Sequence, residues 1–428
     1  MRFGQRAVAW AAAAVLVTSG GAAPAAAARR APAPCQNPSE SGQVITATPW
    51  QQQWLAPERV WPFSTGAGIR VAVVDSGTDS SHPQLAGKVD RGFDMLSNSA
   101  GGDIDCVSHG TAVASIIAAQ RVQGVGFAGI APDARILPIR VSEREVVDGK
   151  ASGQSVSPEG FADAIRLAAD RGAKVINMSL TLYENSPAVA AAVRYAQAKD
   201  AVLVAAAGNL RENGNPVPYP AAYDGVIGVG AIDNDGGLDK VSQIGSYVDI
   251  VAPGGAVVAA TRVRGHQEWT GTSFATPMVS ATVALIRAAE PGLDADEVRQ
   301  RLLATADPAR GGAAQGYGNG VVDPYRAVTE RLTDQPARAQ QALPPLPDDP
   351  ARAARADRWE TIGLVAMWVA LGLAAAVALI AAIALLTPYG RKRRWRPTRA
   401  AAQQSPKPDA ETEEPEDVFF RVPTAPTS

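Results

Sequence analysis

Three short motifs, each placed where an apolar run meets a tight turn, constrain this chain most, because their chemistry is useful only if distant segments fold together. They are VVDSG around Asp75, SHGTAVAS around His109 and GTSFATP at Ser273. Serine is a poor nucleophile at neutral pH, so it needs a base that takes its proton and a carboxylate that orients the base. The run Ile69, Val71, Val73 and Val74 is β-branched and apolar, which predicts a buried parallel strand ending at Asp75. Catalytic groups of open α/β sheets collect at that carboxyl end.

His109 and Gly110 precede the Ala- and Ile-rich segment TAVASIIAA, which predicts a buried helix with the imidazole in its first turn. Ser273 opens a second helix through Met278, Val279, Val283 and Ile286, with Gly271 and Thr272 as its tight entry. The strand-like run Ala201–Ala206 leads to Asn209, whose amide can donate to the oxyanion of a tetrahedral intermediate together with the Ser273 backbone N–H. Each motif alone has a bland reading: an Asp at a strand end is commonly a turn or cap residue, and a Ser after Gly-Thr is commonly a helix N-cap. Jointly the three match the roles of a nucleophile, a base and an orienting carboxylate. Of the other two histidines, His82 is expected in a Pro-containing turn and His266 on an exposed loop, neither with a catalytic role.

With Asp75 in VVDSG, His109 in HGTAVA, Asn209 in AAGN and Ser273 in GTSFATP, the chain resembles the subtilase family of serine proteases from about Gly66 to Val328. The order Asp, His, Ser is the subtilisin order. SHPQL around His82, VINMSL from Val175, VAPGG from Val251 and the closing QGYGNGVVDPYRAV extend the likeness. The resemblance implies an α/β domain, a mostly parallel sheet with helices on both faces, spanning residues 66–333. It also implies peptide hydrolysis through an acyl-enzyme, with Asp75, His109 and Ser273 as the triad and Asn209 at the oxyanion.

The ends locate the enzyme. Residues 1–28 carry Arg2 and Arg6, an apolar run from Ala7 to Val17 and small residues up to Ala28, a secretory signal pattern. Residues 29–65 form an N-terminal extension. Residues 334–358, with Pro336, Pro344, Pro345, Pro347 and Pro350, read as a stiff extended linker. Ile362 to Leu386 carries no charge and would span roughly 37 Å as a helix, enough to cross a bilayer. The expected transmembrane unit with its flanks is 359–389, and Trp359, Trp368 and Tyr389 are candidate interfacial anchors. Arg391, Lys392, Arg393 and Arg394 follow, which puts that flank in the cytoplasm and the protease domain outside. The tail, 390–428, mixes Pro, Gln and acids and is expected to be disordered.

A formal net charge of -2 gives no reason to expect a nucleic-acid partner. The two cysteines, Cys35 and Cys106, both lie in the exported portion, where an even count normally pairs. A Cys35–Cys106 bridge is therefore expected, with two unpaired small hydrophobes as the alternative. No cofactor is expected. Asp103 with Asp105, and Asp233 with Asp235, lack the spacing of a defined calcium loop, and turn chemistry explains them better.

Signal, Cys-containing extension, HGTAVA, Pro-rich linker and single anchor together resemble the mycosins, membrane-bound subtilases of type VII secretion. That resemblance implies cleavage of selected exported proteins, partnership with the secretion membrane complex and a second, non-catalytic role in stabilising it. The chain departs from family patterns in three places. Ala112 stands where secreted subtilisins usually have a second His; Thr181 and Leu182 stand where many have Gly-Gly; and the second cysteine pair of many mycosins is missing.

Overall fold

The computed structural model describes Cys35 and residues 38–143, 145–147, 150–309, 311–332 and 350–392. The expected signal peptide, most of the linker and nearly all of the tail lie outside the described residues. In chain order the elements are α1 (Trp50–Leu55), β1 (Arg70–Asp75), β2 (Phe93–Asp94), α2 (His109–Ala118), β3 (Arg135–Arg140), β4 (Glu145–Val147) and β5 (Lys150–Ser152). There follow α3 (Pro158–Asp170), β6 (Val175–Met178), α4 (Pro187–Ala198), β7 (Val202–Ala206), β8 (Ile227–Ile232), β9 (Ile250–Pro253), β10 (Val257–Ala260) and β11 (His266–Trp269). Last come α5 (Thr272–Ala289), α6 (Ala295–Ala304), α7 (Pro324–Thr329) and α8 (Pro350–Lys392).

Seven strands form the main sheet in the order β2-β3-β1-β6-β7-β8-β9, and every pair in it is parallel. Parallel sheets bury both faces, and β1 explains how: successive side chains alternate, so Val71 and Val73 join one apolar cluster while Ala72 and Val74 join another. The first cluster is covered by α2 and α5, the second by α3 and α4. Helices thus lie on both faces, as expected. The helix α5 is buried along most of its length and supplies Phe274, Met278, Val279, Val283 and Ile286 to the larger cluster.

The N-terminal extension is part of this core. Leu55 and Val60 are buried in the larger cluster. Gln51 Nε2 donates to the Val258 carbonyl, and Gln52 Oε1 accepts from the Ala128 N–H. His266 opens β11, which pairs antiparallel with β10, and Gln43 bridges to it from the other side, so His266 itself is buried rather than on an exposed loop. Its ring packs against Phe127 with centroids 5.3 Å apart, and its Nε2 meets Gln84 Oε1 at 2.6 Å. His82 occupies the expected turn and is buried as well.

The C-terminal unit consists, among the described residues, of α8. It begins at Pro350, so the end of the stretch expected as linker is helical; Pro starts a helix without losing a needed N–H, and the following Ala and Arg residues are strong helix formers. Within it, Ile362–Pro388 is long and apolar enough to cross a membrane, with a mean hydropathy of 2.8 and exposed apolar side chains.

Candidate active site

The carboxyl ends of the parallel strands gather the four residues singled out by the motifs. Asp75 is the last residue of β1 and is fully buried. Its Oδ1 accepts from the Ser76 N–H and lies 2.7 Å from His109 Nδ1. With Nδ1 engaged there, the lone pair of a neutral imidazole is left on Nε2, the arrangement a general base requires. His109 opens α2, and a quarter of its side chain is exposed. Burial by itself lowers the imidazole pKa; the charge and hydrogen bond of Asp75, with help from Asp105, outweigh it, and the pKa stands above the ordinary 6.5.

This approach of β1 to α2 depends on Gly110. A Cβ there would sit 2.0 Å from the Gly77 carbonyl oxygen and 3.2 Å from Asp75 Cβ, so any side chain would push the helix away from the carboxylate. The helix start is held by Asp105 rather than by its N-cap Ser108, which makes no side-chain cap. Asp105 Oδ1 accepts from the Val107 and Ser108 N–H groups and from Ser76 Oγ, and Oδ2 accepts from the Thr111 N–H and hydroxyl. Ser76 Oγ in turn accepts from the Gly110 N–H at 2.8 Å. Burial raises the Asp105 carboxyl above the usual range, against the pull of the hydrogen bonds from Thr111 and Val107.

Ser273 is the second residue of α5, entered through Gly271 at φ 143°, a conformation that disfavours side chains. Its hydroxyl donates to the Ser179 carbonyl oxygen at 3.0 Å, and the Ser179 hydroxyl donates to the Ser273 carbonyl oxygen at 2.8 Å. Asn177 links the same end of β6 to α5 by accepting from the Ser280 hydroxyl. Asn209 turns its carbonyl oxygen onto the N–H and hydroxyl of Thr272, both at 2.9 Å, which leaves the amide N–H groups free for an incoming oxygen. The Phe274 ring lies 5.2 Å from the His109 ring and 5.1 Å from Trp269, an apolar wall behind the base.

Cys35 and Cys106 are joined, with Cα atoms 5.4 Å apart, which fastens the extension beside the histidine loop. Ser39 reinforces that clasp through its N–H to the Cys106 carbonyl oxygen and its hydroxyl to Ser108 Oγ at 2.6 Å. Asp233 Oδ1 accepts from the Asp235 and Gly237 N–H groups, the geometry of a turn. Among the described residues no group of three or more His, Cys, Asp or Glu side chains converges as metal ligands would. The cleft of about 650 Å³ lined by Tyr219, Tyr223, Tyr247 and Arg299 includes none of Asp75, His109 and Ser273 in its walls.

The model of the subtilase family matches residues 66–320. This chain belongs to the subtilase family. It is 40% identical over 272 residues to the thermophilic serine proteinase of Bacillus sp. strain AK1, covering 63% of this chain and 64% of that protein, just under two thirds of its length. Mycosin-4 of Mycobacterium tuberculosis is 35% identical over 337 residues, 70% of this chain and 73% of that one. A solved structure, the MycP3 protease from the type VII (ESX-3) secretion system, aligns with a TM-score of 0.58 at 33% identity over 69% of this chain and 94% of its own.

Sequence reasoning missed two members of this subtilase's site. Asp105 reads in the sequence as a turn residue or a calcium candidate, although an Asp shortly before a helix-opening His has backbone N–H groups ahead of it to collect. Ser179, inside VINMSL, carries no pattern of its own; its part emerges only when β6 and α5 are side by side.

Proposed function

We propose that this subtilase is a membrane-anchored serine endopeptidase that works outside the cytoplasmic membrane on exported proteins, in association with a type VII secretion complex. The observation that carries the catalytic part is the 2.7 Å contact of His109 Nδ1 with the buried Asp75, at the sheet end where Ser273 and Asn209 also sit. In the reaction, Ser273 Oγ attacks the scissile carbonyl while His109 Nε2 takes its proton. Asp75 holds the imidazole in the tautomer that allows this and stabilises the imidazolium. The Asn209 amide and the Ser273 N–H receive the oxyanion. His109 then returns the proton to the leaving amine, and water releases the acyl group by the same path in reverse.

Anchoring is supported by the apolar span Ile362–Pro388 and the basic residues that follow it. Association with type VII secretion is supported by likeness to mycosins and to a protease named for that system. The test is labelling of the full-length protein in detergent with a fluorophosphonate. Labelling on Ser273, absent in Ser273→Ala, is expected; an unlabelled wild type rejects the catalytic reading.

A second contribution, as a part of the secretion complex itself, is favoured by likeness to a serine protease described as an essential component of a type VII secretion system.

A further inference from the structure

A peptide carbonyl placed on Ser273, with its oxygen toward the Asn209 amide, lies between two backbone segments: Ser179–Leu182, fixed to Ser273 through Ser179, and Ala207–Asn209, fixed to Thr272. The side chain on the acyl side of the scissile bond must enter the gap between them. Bare glycine backbone would keep that gap open, whereas here the first of these walls turns Leu180 and Leu182 onto the cluster under α3 and α4 and runs on into Tyr183. Leu182 and Tyr219 exchange both backbone hydrogen bonds, at 2.7 and 2.8 Å, so the wall is pinned and does not swing aside. Tyr183, 39% exposed, reaches across to the other wall. Its hydroxyl lies 3.2 Å from the point where a Cβ on Gly208 would sit and within hydrogen-bonding reach of the Asn209 backbone. Gln243 fills the space behind. It is fully buried, its Oε1 lies 2.1 Å from that same point and accepts from the Leu210 N–H, and its Nε2 donates to the Pro216 carbonyl oxygen.

We propose that Tyr183, backed by Gln243, closes the far end of this gap, so that the enzyme accepts only small side chains, Ala, Ser or Gly, on the acyl side of the bond it cuts. The proposal rests on Ser273 being the nucleophile. Tyr183 acts here by volume and leaves the chemistry to the triad. A stopper of this kind discriminates through the bulk it excludes, most of which is the ring, while the hydroxyl's hydrogen bond to the Asn209 backbone helps hold that ring in place.

The test is a panel of succinyl-Ala-Ala-Pro-X p-nitroanilides, with X as Ala, Val, Leu or Phe, given to the full-length protein in detergent alongside Tyr183→Phe and Tyr183→Ala. Active sites are counted by fluorophosphonate labelling. Wild type and Tyr183→Phe are expected to prefer Ala over Phe by roughly a hundredfold in kcat/KM, and Tyr183→Ala to narrow that ratio by about tenfold or more. A wild type that cuts after Phe as readily as after Ala overturns the proposal. So does an unchanged ratio in Tyr183→Ala, or a Tyr183→Phe relaxed as far as the Ala variant. Failure of the nucleophile itself would look different, since no variant would then be labelled, and the proposal would fall with it.

Discussion

In the proposed reaction Ser273 exchanges its hydrogen bond to the Ser179 carbonyl oxygen for one to His109 Nε2. Because the hydroxyl contributes to chemistry and little to packing, Ser273→Ala is expected to retain its fold and lose on the order of a millionfold in turnover. Matched melting curves beside an undiminished rate in that variant would contradict the assignment. His109 supplies a second expectation. A base works only when neutral, and Asp75 holds this imidazole protonated to a higher pH than an ordinary histidine. Activity should therefore fall on acidification with a midpoint above 6.5, read from kcat/KM against pH; a midpoint at or below 6.5 would mean that Asp75 does not govern the base.

The elements that carry these residues were largely legible in the sequence, for a physical reason. The β-branched run into Asp75 and the small, apolar run after His109 each admit one environment, a strand buried on both faces and a helix buried against it. His266 was not legible. Its surroundings, a Gly before it and charged residues on either side, read as a surface loop; the hairpin with β10 makes it a strand, and the return of Gln43 from the extension covers the ring. That long-range pairing leaves no local periodicity to detect. Burial, together with the neighbouring His82, lowers the His266 pKa to about 4. The folded protein keeps this ring neutral down to about pH 4, while the unfolded chain takes up its proton near 6.5. Stability is thus full above pH 6.5 and declines as pH falls from there toward 4. Thermal melts at pH 7 and pH 4.5 should show a larger acid loss in the wild type than in His266→Gln; an equal loss in both would remove His266 as the cause.

For the whole molecule, the proposed arrangement makes tethering and cleavage separable, because the triad lies in the catalytic domain and the apolar span in the C-terminal unit. A tether raises the effective concentration of the domain at a membrane complex without adding any contact. If support of a secretion complex depends on folded surfaces held at the membrane, Ser273→Ala should restore type VII export in a strain lacking this chain, since the substitution alters neither surface nor span. A chain ending before Ile362 keeps the whole triad yet loses that advantage, and should fail to restore export. Both variants are assayed for secreted substrates and for recovery of the intact membrane complex, and each is labelled or melted to show that it is folded. Rescue by the truncated chain with failure of the point variant would leave a free-standing envelope protease and remove the supporting role, because cleavage without tethering would then be sufficient.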